Sequence, residues 1–126
     1  MLISIDDFKK LEIKIGHILS VEKVLDADKL LKLSVDVGET NPRQIISGIS
    51  EFFPNPQILV GKKCAFATNL EPRVIRGFES QGMILAVNGL KLVGSSDHSA
   101  EQNDLGDSFF SLLETSTDVV PGSIVK

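Results

Sequence analysis

The stretch from residue 69 to residue 85 holds the side chains best suited to bind a ligand. It combines guanidinium, amide and hydroxyl groups with two glycines. Arg73 and Arg76 could each bond to phosphate oxygens, because a guanidinium presents its donors in a planar fork. Asn69 and Ser80 could bond to sugar or base edges, and glycines let a backbone approach a ligand closely. The same residues fit an ordinary loop with solvated arginines equally well.

Elsewhere, no residues have the spacing of a catalytic or metal site. His17 and His98 stand alone, without a nearby metal-ligand spacing. Cys64 lies among alanines and a phenylalanine, which predicts a buried and unreactive thiol. Asp26 and Asp28 form a close pair in a turn, where aspartate is favoured for backbone reasons. We therefore expect no catalytic residues, no metal, no cofactor and no enzymatic activity.

Charge is distributed unevenly along the chain. The net charge is −4, yet residues 1–91 carry 12 Lys and Arg against 11 Asp and Glu, whereas residues 92–126 carry 1 against 6. Binding to phosphates depends on the local field, so this total does not exclude a nucleic-acid partner. No segment approaches the roughly 20 apolar residues of a membrane span. The lack of signal-peptide features and the single cysteine predict a cytoplasmic protein without a membrane partner.

Hydrophobic patterns of period two predict a series of short strands. Ser4 is followed three residues later by the acidic Asp7, a pattern typical of a helix start, and it predicts a short helix through Phe8 to Leu11. One face of the first strand is predicted to hold Ile13, Ile15, Leu19 and Val21, with Gly16 at a kink or bulge. The other predicted elements are strands over 31–37, 43–47, 62–68 and 83–87, a helical turn over 57–59, a long loop over 69–82, a mobile polar loop over 94–107, and returning strands near Phe109, Leu112, Leu113 and Ile124–Val125.

Five short strands in a small chain predict an all-β fold that closes, or nearly closes, into a barrel. Closure removes the exposed strand edges that a small open sheet would present. An OB-fold is the commonest barrel of this size, and periodicity alone leaves a sandwich open. We expect one domain over residues 1–126, with a core of about residues 5–90 and a C-terminal extension of about 91–126.

Four segments, in order, resemble the tRNA-binding domain family, which includes the C-terminal domain of bacterial methionyl-tRNA synthetases and free-standing tRNA-binding proteins. The segment Asn-Leu-Glu-Pro-Arg-Val-Ile-Arg-Gly-Phe-Glu-Ser-Gln-Gly-Met, from residue 69, resembles the family signature. The others are residues 5–13 with Gly16, residues 26–30 with 35–38, and residues 43–49. The resemblance covers roughly residues 5–87, with a return at 120–122. One departure is Leu25, where the family usually has a proline.

The resemblance implies an OB-fold, here a five-stranded barrel with a short N-terminal helix and extra C-terminal strands. It implies binding to the outer corner of tRNA by backbone and shape, with little choice of sequence. The absence of Trp and Tyr agrees, because OB-folds that bind single strands stack bases on aromatic platforms. The implied roles are phosphate contacts for Lys29, Arg43, Arg73 and Arg76, sugar or base contacts for Asn69, Ser80 and, more weakly, Ser47, base or core packing for Met83, and a general positive field from Lys32, Lys62 and Lys63.

The resemblance also bears on partners. Free-standing members form homodimers, so we expect a homodimer that binds tRNA, with an aminoacyl-tRNA synthetase as a further candidate partner. The Met1 start and compact length favour a free-standing protein, and a synthetase domain stays open. The alternative function is an export- or chaperone-like protein on the same fold that binds unfolded polypeptide. The acidic segment 97–118 has no assigned role.

Overall fold

Short antiparallel strands account for most of the regular structure in the computed structural model, which describes residues 1–90 and 108–126. A single helical turn, α1 (Ile5–Phe8), is capped by the Ser4 hydroxyl, which accepts a hydrogen bond from the Asp7 amide at 3.0 Å. Two 3₁₀ turns span Ser50–Phe52 and Pro56–Leu59. The strands are β1 (Ile13–Lys23), β2 (Leu31–Asp36), β3 (Arg43–Ser47), β4 (Lys63–Ala67), β5 (Arg73–Ile75), β6 (Phe78–Ser80), β7 (Met83–Ile84), β8 (Ala86–Leu90) and β9 (Ser108–Leu112).

Five of these strands form one antiparallel sheet in the order β3-β2-β1-β4-β7. The sheet curls so that its two edge strands, β3 and β7, approach each other. Residues 80 and 81 bridge the gap that is left between them. The Gln81 amide donates to the Gln44 carbonyl at 2.8 Å, and the Ile46 amide donates to the Ser80 hydroxyl at 3.0 Å. The molecule is therefore a nearly closed five-stranded barrel of the OB type, which confirms the predicted fold class.

Strict alternation in β2 builds the centre of the core. Leu31, Leu33, Val35 and the following Val37 are all buried, as their period-two spacing predicts. Phe66 of β4 is among the largest fully buried side chains and belongs to the same cluster. The predictions for β2, β3, β4 and the helical turn near residues 57–59 are confirmed, within a residue or two at their ends.

The prediction for the inner face of β1 is wrong. The pairing of β1 with β2 shifts between Ile18 and Ser20, which is a β-bulge at Leu19. A bulge inserts one residue and reverses the alternation beyond it. Ile18 is therefore fully buried before the bulge, Val21 is buried after it, and Leu19 is 42% exposed. Ile15 is buried on the other face, where its amide donates to the Ser123 carbonyl of the C-terminal segment.

Gly16 was predicted at a kink or bulge, and the bulge lies at Leu19 instead. Gly16 lies where β1 crosses closest to its neighbours in the barrel. A Cβ atom there would lie 2.5 Å from Val35 Cγ1 and 2.7 Å from Phe66 Cδ1, much closer than van der Waals contact. Glycine is needed at this position because the interior has no room for a side chain.

The described C-terminal residues return to the barrel. β9 pairs with β8, and isolated bridges join Glu114 to Cys64 and Ile124 to Lys14. This confirms the returning strand near residues 109–112, while the predicted fifth strand is divided into β7 and β8. The polar loop predicted over 94–107, with His98, lies outside the described residues. No helix in the described part of the chain is long and apolar enough to cross a membrane.

Candidate nucleic-acid interface

The segment predicted to be a plain loop contains a β-hairpin, which we call the arginine hairpin (residues 73–80). β5 and β6 pair through Arg73 with Ser80 and through Ile75 with Phe78. Only Arg76 and Gly77 connect the strands, with φ angles of 52° and 84°. Two successive residues of positive φ define the type I′ turn, which matches the twist of short hairpins. The turn places Arg76 at the exposed tip of the hairpin and Arg73 on its exposed first strand.

Arg76 occupies this turn at a conformational cost. Glycine, asparagine and aspartate populate the left-handed region readily, whereas other L-residues lose roughly 1–2 kcal/mol there. The described residues offer no ion pair to Arg76 that would offset this cost. Residues held in such conformations concentrate at functional sites. The hairpin thus presents an arginine at its tip without a visible benefit to the fold.

The base of the hairpin is fixed to β3. Ser80 is only 4% exposed, and its hydroxyl accepts from the Ile46 amide and donates to the Gly82 carbonyl at 3.1 Å. The Gln44 side-chain amide donates to the Glu79 carbonyl at 2.9 Å. These bonds tie the hairpin to the barrel while its tip stays exposed. The Ser80 hydroxyl was predicted to bond to sugar or base, and in the structure it is bonded within the chain.

Asn69 and Arg43, two more predicted contacts, are also engaged internally. Asn69 Oδ1 accepts from the Glu12 amide at 2.7 Å, and its Nδ2 donates to the Lys10 carbonyl at 2.6 Å. The Arg43 guanidinium bonds to the Glu39 carboxylate and to two backbone carbonyls, and the side chain is only 20% exposed. The hydrogen bond from Arg43 lowers the pKa of Glu39, and the same bond raises the pKa of Arg43, so the two groups stay charged together.

Two predicted lysines, Lys29 and Lys32, lie on the β1–β2 loop and on β2. Lys29 is exposed in the β1–β2 loop, and no ion pair holds it among the described residues. Lys32 on β2 pairs with Glu22 at 3.1 Å, and its Nζ lies 4.9 Å from the centroid of the Phe78 ring. This cation–π contact places β2 beside the arginine hairpin. Phe78 was not predicted as a site residue, because core packing is the more common role of phenylalanines at apolar or turn positions.

Met83 and Ser47 complete the same face. Met83 is 49% exposed and lines a depression of about 80 Å³ together with Arg73 and Ser80. Ser47 ends β3, opposite Leu31 of β2, and is half-buried. Apart from Lys62 and Lys63, the predicted residues therefore lie on the β1–β2 loop, strands β2 and β3, and the β4–β7 connection. These are the elements with which OB-folds bind oligonucleotides.

Lys62 and Lys63, predicted to add to the general field, lie elsewhere. Lys62 pairs with Glu114 at 3.1 Å, and Lys63 donates to the carbonyls of Thr117 and Val119 at 2.7 and 2.6 Å. Both side chains hold the C-terminal segment against β4. Across residues 1–90 and 108–126, no group of three or more His, Cys, Asp or Glu is arranged to hold a metal ion.

Comparison with known proteins agrees with this geometry. Residues 13–122 match the model of the family described as "Putative tRNA binding domain". The chain belongs to the tRNA-binding domain family. The match includes β1, β2, β3 and the arginine hairpin, so the resemblance seen in the sequence is confirmed.

Relatives of this tRNA-binding domain include much longer proteins. The chain is 51% identical over 84 residues to the methionine–tRNA ligase of Enterococcus faecalis, an alignment that covers 67% of the chain and 13% of that ligase. It is 44% identical over 124 residues to the methionine–tRNA ligase of Myxococcus xanthus, covering 98% of the chain and 15% of that protein. The chain thus spans about one seventh of the length of these relatives.

Two solved structures share this fold. A protein of Pyrococcus horikoshii, described as related to methionyl-tRNA synthetase, superposes with a TM-score of 0.77 at 32% identity, covering 100% of this chain and 99% of that one. The chaperone CsaA of Bacillus anthracis superposes with a TM-score of 0.72 at 21% identity, covering 100% of both chains. At that identity, the second comparison supports the fold alone.

Proposed function

We propose that this chain binds structured RNA, with tRNA as the ligand, and does not catalyse a reaction. The observation that carries the proposal is the position of the arginine hairpin. In a member of the tRNA-binding domain family, it presents Arg73 and Arg76 on the connection that OB-folds use for nucleic acid. Two guanidinium groups on an exposed hairpin, with no ion-pair partner among the described residues, suit phosphate oxygens, which they can bond in pairs.

The proposed contacts follow from which groups are accessible. Arg73, Arg76 and Lys29 would contact phosphates, and Lys32 would contribute charge from β2. Met83, at the edge of the depression beside Arg73, and Ser47, at the end of β3, would lie against ribose or base. The predicted RNA contacts of Arg43, Asn69 and Ser80 compete with bonds inside the chain, so we propose that these three residues support the surface.

Recognition by shape and backbone follows from the aromatic content of the surface. The chain has no Trp or Tyr. Phe66 is in the core. Phe52, Phe53 and Phe110 pack against the core cluster, and the ring centroids of Phe52 and Phe110 are stacked 4.2 Å apart. Few rings remain to stack on unpaired bases, each of which contributes roughly 1–3 kcal/mol in single-strand binders. We therefore propose contact with the outer corner of folded tRNA and little discrimination among tRNA sequences.

We extend the proposal to the cellular setting. The relatives named as methionine–tRNA ligases support a role in translation, in the cytoplasm, with an aminoacyl-tRNA synthetase as a candidate partner. A homodimer would double a basic surface that is small in one chain. More phosphate contacts would strengthen binding and make it more sensitive to salt.

A competition experiment tests the class of ligand. Fluorescently labelled bulk tRNA is bound to the protein at low salt, and unlabelled folded tRNA, oligo(dT) or a denatured polypeptide is added. The proposal expects displacement by folded tRNA at concentrations well below those of the other two. Displacement by the denatured polypeptide alone would favour the chaperone-like alternative, and preferential displacement by oligo(dT) would indicate a single-strand binder.

A further inference from the structure

Arg43 connects the two ends of the segment that carries the arginine hairpin. Its Nη1 donates to the Thr68 carbonyl at 2.5 Å and to the Gln81 carbonyl at 3.0 Å. Thr68 directly precedes this segment and Gln81 directly follows β6. One nitrogen atom on β3 therefore bonds to the chain just before and just after the hairpin segment. We call these two ends, at Thr68 and Gln81, the stems of the arginine hairpin, and the two bonds hold them at a fixed separation.

Glu39 fixes the orientation of that guanidinium. Its two carboxylate oxygens accept from Arg43 Nε at 2.8 Å and from Nη2 at 2.7 Å, which is a bidentate pair. A guanidinium has five N–H donors. Two bond to Glu39 and two bond to the stem carbonyls, so one N–H group remains. A bidentate phosphate contact by Arg43 would require at least one of these internal bonds to break, because only one N–H group is left.

We propose that Arg43 and Glu39 are positioning residues, which hold the stems of the arginine hairpin so that Arg73 and Arg76 face the RNA. This inference deepens the proposed function and rests on it. It replaces the phosphate contact that the sequence resemblance implied for Arg43. The physical reason is entropic: a hairpin held at both stems loses less freedom when its tip binds a ligand.

Glu39→Gln distinguishes positioning from phosphate contact by the sign of its effect. If Arg43 contacts phosphate, removing its competing carboxylate strengthens RNA binding. If Arg43 holds the stems, a neutral amide with one acceptor oxygen loosens the guanidinium, and RNA binding weakens by about tenfold. Asp118→Asn is the matched control, since it removes one exposed carboxylate from the C-terminal segment, away from Arg43 and from the depression beside Arg73.

Arg43→Gln gives a second test through salt dependence. A lost phosphate contact makes the slope of log affinity against log salt shallower by about 0.7–0.9. Loss of positioning lowers the affinity and leaves the slope unchanged. Amide hydrogen exchange of residues 69–82 in the free protein, which needs no RNA, should quicken in both variants while β2 keeps its protection.

The inference is overturned if Glu39→Gln binds RNA more tightly than Asp118→Asn, if Arg43→Gln flattens the salt slope, or if exchange in residues 69–82 matches wild type. Failure of the proposed function would look different. In that case the wild-type protein would not bind tRNA at all, while the exchange measurement would still report whether the stems are held. If Arg43→Gln does not fold, the Glu39→Gln comparison decides alone.

Discussion

Arg76→Asn is predicted to stabilise the protein while weakening its binding to RNA. Arg76 has a φ of 52° in the type I′ turn of the arginine hairpin. The left-handed region costs an ordinary L-residue roughly 1–2 kcal/mol, and asparagine largely avoids this cost because its side chain bonds locally. Since the base of the hairpin is tied to β3 through Ser80, relief of this strain should appear in global unfolding. We expect a gain of about 1 kcal/mol.

Urea denaturation measures the predicted gain as a higher midpoint at an unchanged slope. In thermal unfolding, a gain of 1 kcal/mol raises the midpoint by about 4 °C in a domain of this size. The same variant should bind tRNA more weakly, with a salt slope shallower by about 0.7–0.9, because one phosphate contact is lost.

Arg73→Asn is the matched control. It removes the same charge from β5, where φ is not positive, so it should weaken RNA binding without raising stability. The reasoning is refuted if Arg76→Asn is no more stable than wild type, or if both variants gain stability equally. If Arg76→Asn matches wild type in both stability and RNA binding, Arg76 neither strains the fold nor contacts the RNA.

Three further predictions concern stability. Ser80→Ala should lower the free energy of unfolding by about 1–3 kcal/mol in urea denaturation, because the buried Ile46 amide loses its acceptor; exposed Ser20→Ala should change little. Leu25→Pro should raise the free energy of unfolding by about 0.4–1 kcal/mol. The Ala27 amide donates to the Val24 carbonyl and closes a turn in which Asp26 has a φ of 62°, so Leu25 occupies the proline position of a type II turn. A loss of stability would show that the turn is of another type. Burial raises the pKa of Cys64 from 9.0 to about 11. The free energy of unfolding should therefore fall between pH 9 and 11, because over that range only the unfolded chain loses its thiol proton. If the free energy of unfolding of Cys64→Ala falls equally over that range, other groups are responsible.

Periodicity predicted those strands whose alternation is unbroken. Leu31, Leu33 and Val35 identify β2 because every second residue is apolar and buried. The same rule fails in β1, since the bulge at Leu19 shifts the alternation, and a bulge leaves no mark in an apolar run. Ile18 and Leu19 are equally apolar, so only the pairing with β2 shows which one enters the core.

The arginine hairpin was missed for a different reason. Its strands have three residues each, too short for a pattern, and its turn reads Arg-Gly where type I′ turns usually read Asn-Gly. The segment was nevertheless identified as the candidate site, because its sequence resembles the family signature; its donors alone fitted an ordinary loop equally well. Donor chemistry shows what a residue can bind, and the fold decides what it does bind.

Arg43, Asn69 and Ser80 illustrate that difference. Each was predicted to contact RNA, and each bonds to backbone groups 25 or more residues away in the sequence, apart from the local bond of Ser80 to Gly82 and the Arg43 pair with Glu39. Such partners cannot be read from a single sequence. Arg73, Arg76 and Lys29 stay available because they lie on an exposed hairpin and an exposed loop.

The most direct test of the account is a titration of bulk folded tRNA at about 50 and 200 mM salt, with wild type, Arg73→Ala/Arg76→Ala and a control. Lys9→Ala/Lys10→Ala removes the same charge from exposed residues at α1, outside the proposed surface. We predict saturable binding that weakens with salt, a slope shallower by about 1.4–1.8 for the arginine pair, and a near wild-type slope for the control. Absence of binding at low salt, or equal losses in both double variants, would contradict the account.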